Sequence, residues 1–138
     1  MIIYNTTIDQ VGCSERVNRI FSRSIKKESK MWALKKILSM LDLTTLEGND
    51  SPGKVKQLCY KAAHLHDKYP GLPKVAAICV YPNMVSIAQE SLKGTNIKTA
   101  SVATGFPSGM TNLRAKLDEV EYVVNEGAEE VDMVISRG

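Results

Sequence analysis

The sequence is poor in the residues that build disulfide frameworks and metal sites. It contains only three cysteines and two histidines among 138 residues. Cys13, Cys59 and Cys79 are odd in number and share no metal-ligand spacing, which argues against disulfides and zinc. His64 and His66 are two positions apart, so on a helix they would point to different sides. We therefore expect no metal site.

Long apolar runs and a basic leader are also missing. No stretch approaches the roughly 18 consecutive apolar residues that a membrane-spanning helix needs. Residues 1–10 show neither a basic n-region nor a long apolar run, so no secretory signal is visible. The sequence also has no G-x-G-x-x-G and no G-x-x-x-x-G-K-[ST] motif, which disfavours dinucleotide and ATP binding. We expect a cytoplasmic protein with no cofactor and no membrane partner.

Positive charge exceeds negative charge, with 18 Lys and Arg against 15 Asp and Glu, a formal net charge of +3. Much of the excess lies in one stretch: Arg16, Arg19, Arg23, Lys26, Lys27, Lys30, Lys35 and Lys36. A nucleic-acid site would also need aromatic residues that stack on bases. The aromatics nearby, Phe21 and Trp32, fall on the apolar side of the pattern. We interpret the stretch as a solvated helix face, with nucleic-acid binding as a weaker alternative.

The remaining pattern alternates short apolar runs with helical periodicity. Residues 14–38 suit one or two amphipathic helices, with a break near Ser29. Apolar runs at 38–43, 75–80, 98–103 and 130–135 indicate buried strands, and the segments between them favour helices. Ser51-Pro52 is a helix start, and Gly94 is typical of a left-handed cap at a helix end. This order is that of a parallel sheet, either a barrel or a doubly wound sheet.

Polar residues fall where these strands end. Asp42 and Thr44 sit at the carboxyl end of the first strand, Cys79 lies toward the end of the second, and Asp132 interrupts the fourth. Functional sites of parallel sheets are built at the carboxyl ends of strands. Asp42 and Thr44 could instead satisfy loop backbone, and Cys79 could be a small buried hydrophobe. Asp132 is the strongest candidate, because a carboxylate among apolar residues is costly unless it is paired or hydrated.

Four runs resemble the class I deoxyribose-phosphate aldolase family in order and approximate spacing. They are Leu-Asp-Leu-Thr-Thr-Leu at 41–46, Ala-Ile-Cys-Val-Tyr-Pro at 77–82, Ser-Val-Ala-Thr-Gly-Phe-Pro at 101–107 and Glu-Val-Asp-Met-Val-Ile at 130–135. The resemblance implies an α/β fold of the TIM (β/α)8-barrel family. Only the first four strands and about three following helices would be present. We expect an N-terminal helical extension over residues 1–37 and a partial barrel over 38–138.

The resemblance also implies an activity and a set of site residues. Members of the family cleave 2-deoxy-D-ribose 5-phosphate reversibly into acetaldehyde and D-glyceraldehyde 3-phosphate through a lysine Schiff base, without a metal. Asp132 matches the family's proton-relay carboxylate. Asp42, Thr44 and Cys79 match positions that line the substrate pocket.

The sequence departs from the family in one respect. The Schiff-base lysine belongs on the sixth strand, in a run resembling Phe-Ile-Lys-Thr-Ser-Thr-Gly, and a second lysine belongs on the seventh. No such run occurs here. Lys98 comes closest, but it begins its strand. We expect the isolated chain to be an inactive N-terminal half that forms a homo-oligomer or associates with the missing C-terminal half. The alternative is a non-catalytic half-barrel that self-associates or docks on a complementary half.

Overall fold

A computed structural model of the chain describes residues 7–136. The chain divides into two compact units after Ala33. The boundary that the sequence suggests between residues 37 and 38 stays a prediction. Residues 1–6 and 137–138 of the two predicted segments, including most of the stretch searched for a leader, lie outside the described residues.

Two helices occupy the N-terminal region, α1 (Gln10–Phe21) and α2 (Lys27–Leu38). Asp9 caps α1, because its side chain accepts a hydrogen bond of 2.9 Å from the Gly12 amide. The break expected near Ser29 is wrong, since Ser29 lies within α2. The chain turns instead before Lys27, which has a left-handed φ of 51° that an unbroken helix does not accommodate.

The second unit is built on four parallel strands in the order β1-β2-β3-β4. They are β1 (Asp42–Thr44), β2 (Ala77–Val80), β3 (Lys98–Ala103) and β4 (Glu130–Met133). The helices α3 (Pro52–His64), α4 (Val85–Ser91) and α5 (Leu113–Asn125) connect them, and a short 3₁₀ turn precedes α4. The predicted α/β fold with three helices after its strands is confirmed.

The two faces of the sheet have different surroundings. On one face, Ile78 and Val80 pack against side chains of all three connecting helices, among them Val55, Val85 and Val123. The opposite face carries the smaller residues Ala77, Cys79, Ala100 and Val102, with Leu46, Tyr81 and Phe106 packed beside them. Successive side chains of a strand alternate between faces, so this second face also receives every other residue of β1 and β4.

The first strand is shorter than the sequence suggests. Residues 38–41 end α2 and form a turn, and they do not extend β1. Leu38 uses its apolar side chain to pack against the core, whereas Met40 and Leu41 are exposed. A short apolar run has no periodicity that separates a strand from the end of a buried helix. None of the described helices is long and apolar enough to cross a bilayer.

Candidate active site

The four residues predicted to form a site lie on three strands and share one face of the sheet. The register pairs Asp42 with Ala77 and Thr44 with Cys79. It also pairs Asp132 on β4 with Val102 on β3. Residues that pair in a parallel ladder point to the same side, so Asp42, Thr44, Cys79 and Asp132 all project from the face opposite the connecting helices.

Cys79 and Asp132 make direct contact. The thiol of Cys79 donates a hydrogen bond of 3.4 Å to Oδ2 of Asp132, although β3 lies between their strands. Ala100 stands beside Cys79 in the register and carries only a methyl group. This small side chain leaves room for the thiol and the carboxylate to meet above β3.

The thiol of Cys79 is held in its neutral form. Burial raises the pKa of Cys79 to about 12, and the hydrogen bond to Asp132 and the negative charges of Asp132 and Asp42 add to the effect. The side chain is only 2% exposed. Because the thiolate is the nucleophilic form of cysteine, Cys79 is suited to donating a hydrogen bond and not to covalent catalysis at neutral pH.

Asp42 is the second carboxylate of the cluster. Its pKa is raised above the usual range mainly by burial, and then by the charges of Glu130 and Asp132, while a backbone hydrogen bond from Ala77 opposes the shift. Asp132 itself is exposed. The sequence suggested that β4 is buried, but this strand is only half-buried at its start and exposed from Asp132 onward. The carboxylate of Asp132 is therefore accessible to water and to a ligand.

Thr44 is exposed and lies at the margin of the cluster. Thr44 also borders a groove of about 690 Å³ that runs along α3, where Gln57, Tyr60 and His64 form part of the wall. Asp42, Cys79 and Asp132 do not line this groove. The structure thus brings three of the four predicted residues into one cluster and places the fourth beside it.

An ion pair joins the starts of β3 and β4, at the level of Asp42 in the register. Nζ of Lys98 lies 2.6 Å from Oε1 of Glu130, and these residues begin β3 and β4. Sequence reasoning placed Lys98 at the start of its strand but missed its partner. The pair could have been predicted from the sequence, because Lys98 and Glu130 both begin runs that form neighbouring parallel strands. Lys98 is the only lysine on a strand within residues 7–136.

Two aromatic residues flank the cluster and were also missed. Tyr81 follows β2 and Phe106 follows β3, and their rings meet edge to face with centroids 6.1 Å apart. Both pack against the small residues of the site face. An aromatic residue one position after β2 and another three positions after β3 are visible in the sequence, but their contact requires the sheet.

The cluster combines a water-accessible carboxylate, a second carboxylate with a raised pKa and a neutral thiol. Carboxylates in such a place can accept and return protons directly or through one water. Hydroxyl-rich ligands also suit these hydrogen-bonding groups. Among residues 7–136, no group of three or more His, Cys, Asp or Glu side chains is arranged to hold a metal ion.

Comparison with known proteins identifies relatives among the deoxyribose-phosphate aldolases. No protein-family model matches the sequence. The deoxyribose-phosphate aldolase of Homo sapiens is 43% identical over 128 residues, and that of Mus musculus is 45% identical over 130 residues. Each match covers 83% of this chain but 39% of the relative, so the chain spans about two fifths of the length of these relatives.

Solved structures agree with this result. A crystal structure described as a putative deoxyribose-phosphate aldolase from Coccidioides immitis superposes with a TM-score of 0.63 at 29% identity, covering 73% of this chain and 36% of that one. The tetrameric deoxyribose phosphate aldolase from Aeropyrum pernix, at 23% identity and a TM-score of 0.55, shares the fold over 72% of this chain and 38% of its own. Together, the curated relatives and the shared partial barrel show that the chain belongs to the deoxyribose-phosphate aldolase family.

Proposed function

We propose that this chain supplies the proton-relay and substrate-contact side of a deoxyribose-phosphate aldolase site. The observation that carries the proposal is the hydrogen bond of 3.4 Å between Cys79 and Asp132, formed on the face that also carries Asp42. The substrate would be 2-deoxy-D-ribose 5-phosphate, cleaved reversibly to acetaldehyde and D-glyceraldehyde 3-phosphate in the cytoplasm. The relatives that match the chain are named for this activity.

The reaction assigns a distinct role to each side chain. A lysine amine forms an imine with the aldehyde carbon of the sugar, and the imine accepts the electron pair when the carbon–carbon bond breaks. The hydroxyl on the departing carbon loses its proton, and the resulting enamine later takes one up. Asp132, working through water, would move these protons. Asp42 and Thr44 would hold sugar hydroxyls, and Cys79 would orient the Asp132 carboxylate.

The amine would come from outside this segment. Lys98 is held by Glu130 at the amino end of its strand, whereas Asp132 pairs with Val102 near the carboxyl end of the same strand. A lysine must reach the same carbonyl carbon that Asp132 serves, and Lys98 lies at the start of β3. We therefore expect the 138-residue chain to form no imine by itself.

Borohydride trapping with acetaldehyde tests whether the imine-forming lysine lies outside this segment. The 138-residue chain should show no reduced lysine adduct by mass spectrometry. A chimera in which this chain replaces the aligned part of the human relative should form the adduct on a lysine outside the replaced part. In that chimera, Asp132→Asn should lower kcat by roughly 10²–10⁴-fold, the range of a lost general acid–base group. An adduct on the isolated chain, or a folded but inactive chimera, would contradict the proposal.

A second candidate is a non-catalytic half-barrel that associates with another copy or with a complementary half. The specific observation in its favour is the apolar exposure beside β4, where Met133 and Ile135 are each 67% exposed. Within the described residues, β1 and β4 each pair with only one neighbouring strand. Unpaired strand edges are templates for association.

A further inference from the structure

The segment that leaves β3 is fastened to the segment that leaves β4. The Thr104 hydroxyl accepts a hydrogen bond of 2.6 Å from the Val134 amide and donates one of 2.8 Å to the Val134 carbonyl. The same amide lies 3.4 Å from the carbonyl of Ala103. Regular pairing of the two strands stops at Ala103 and Met133. One threonine side chain therefore supplies the next rung of the ladder after the backbone has turned away.

This arrangement holds Thr104 in a conformation that it would not adopt alone. Its φ is 65°, and a β-branched residue rarely occupies the left-handed region. Such conformations persist where the surrounding structure over-determines them, and they cluster at functional sites. Thr104 is buried, and the following amide, that of Gly105, donates a hydrogen bond of 2.8 Å to Oε2 of Glu119 on α5. The turn is thus anchored from two sides.

Val134 is also held by a close approach of the loop that follows β3. Gly109, at the far end of the loop, lies so near Val134 that a Cβ there would come within 2.9 Å of Cγ1 of Val134. Val134 follows Asp132 by two positions, so both the hydroxyl of Thr104 and the close approach of Gly109 fix the direction in which β4 leaves the sheet. Asp132 is one of the last two paired residues of β4, so these contacts hold the end of the strand that carries its carboxylate.

We infer that Thr104 is a positioning residue for Asp132 in the aldolase reaction. The inference rests on the proposed function, because it assumes that the carboxylate of Asp132 moves protons. The alternative is that the hydrogen bonds between Thr104 and Val134 contribute only to the stability of the fold. The two differ in what they predict for kcat. Thr104 is buried and has no part in the proposed contacts with substrate, so a positioning role should change kcat and leave KM nearly constant.

Four variants of the chimera with the human relative separate these two roles. Thr104→Val removes the hydroxyl at nearly constant shape and should lower kcat roughly tenfold, since small misplacements of a catalytic group have effects of this order or larger. Thr104→Ser keeps the hydroxyl and should remain within about twofold of wild type. Thr104→Gly loses the hydroxyl but fits the left-handed turn without steric cost, so it should fold and still show the low kcat. Val55→Ala, in the distant core, controls for lost stability and should leave kcat unchanged.

The 138-residue chain provides a readout that needs no activity. Hydrogen exchange at the Val134 amide should accelerate in Thr104→Val and Thr104→Gly and stay slow in Thr104→Ser. A folded chimera that is inactive with the wild-type residue would contradict the proposed function itself. An active chimera in which Thr104→Val and Thr104→Gly match wild-type kcat would overturn the positioning role alone. The positioning role would also be overturned if Val55→Ala lowered kcat as much as these two substitutions do.

Discussion

At the scale of single residues, the Asp42 carboxylate is a group whose ionisation opposes folding. Burial and the nearby charges of Glu130 and Asp132 raise its pKa, so the folded chain holds the Asp42 proton more tightly than the unfolded chain. Protonated Asp42 therefore contributes to the stability of the folded chain, and this contribution is complete below 3.8, the pKa of the carboxyl in the unfolded chain. That contribution is lost as pH rises through the folded pKa. A group retained despite such a cost is typical of a functional site.

Asp42→Asn should therefore stabilise the isolated chain at neutral pH. The amide keeps the size of the carboxylate but carries no charge that burial, Glu130 or Asp132 could disfavour. The measurement is the free energy of urea-induced unfolding at neutral pH and at a pH below 3.8, for wild type and variant. The variant should have a higher free energy of unfolding than wild type at neutral pH. The difference should shrink at the acidic pH, where the wild-type carboxyl is protonated. Equal stability of the two proteins at neutral pH would show that Asp42 is not strained by its neighbours.

At the scale of secondary structure, the sequence predicted the elements whose ends are marked by a capping residue, a proline or a glycine. α3 begins where Ser51-Pro52 suggested, and the Ser51 hydroxyl accepts from the Lys54 amide. Gly94 has the positive φ expected of it, at 78°. β3 matches the predicted range 98–103. The start of β1 and the helix break near Ser29 were predicted wrongly. A short apolar run does not show whether it packs as a strand or as a helix end, and an isolated serine does not show whether a helix ends there.

The candidate site was predictable as a set of residues but not as a set of contacts. The rule that sites form at the carboxyl ends of strands selected Cys79 and Asp132. It also selected Asp42, but only because the first strand was expected to begin at residue 38; in the structure Asp42 is the first residue of β1. The hydrogen bond between Cys79 and Asp132 joins residues 53 positions apart across an intervening strand. Its existence depends on strand order, on register and on the small side chain of Ala100. The link from Thr104 to Val134 depends in addition on a left-handed turn that no residue preference indicates for threonine.

The start of α5 offers a test of a single helix cap. Asn112 accepts a hydrogen bond of 2.9 Å from the Ala115 amide, and its backbone is extended, as a cap residue requires. Asn112→Ala should lower the free energy of unfolding by about 1 kcal/mol, whereas Asn112→Ser should retain most of it. Urea unfolding should show a lower midpoint with an unchanged slope. An alanine variant as stable as wild type would mean that water satisfies the Ala115 amide equally well.

At the scale of the whole molecule, the four strands form an open sheet that superposes on part of an aldolase barrel. A closed barrel has no strand edges, whereas in residues 7–136 the strands β1 and β4 each retain one. At the centre of the site face Ala77, Cys79, Ala100 and Val102 are as buried as the helical face, but the edge strands β1 and β4 are more exposed. The carboxylates on these edge strands are exposed or half-buried, while the residues beneath the helices, such as Ile78 and Val80, are fully buried. The part of the fold that carries the chemistry is therefore the part that most depends on further contacts.

This asymmetry predicts that the isolated 138-residue chain self-associates through the β4 edge. Met133 and Ile135 are each 67% exposed, and they lie at the end of β4, which pairs with β3 on one side only within the described residues. Sedimentation velocity should show a weight-average coefficient that rises with protein concentration. Replacing both residues with lysine should abolish the rise, because charged side chains on an edge oppose pairing. Tyr122→Lys, at a helix residue that is 46% exposed, serves as the matched control and should associate as wild type does. If wild type sediments as a monomer at every concentration, the β4 edge is protected within the chain itself, and the half-barrel candidate loses its basis.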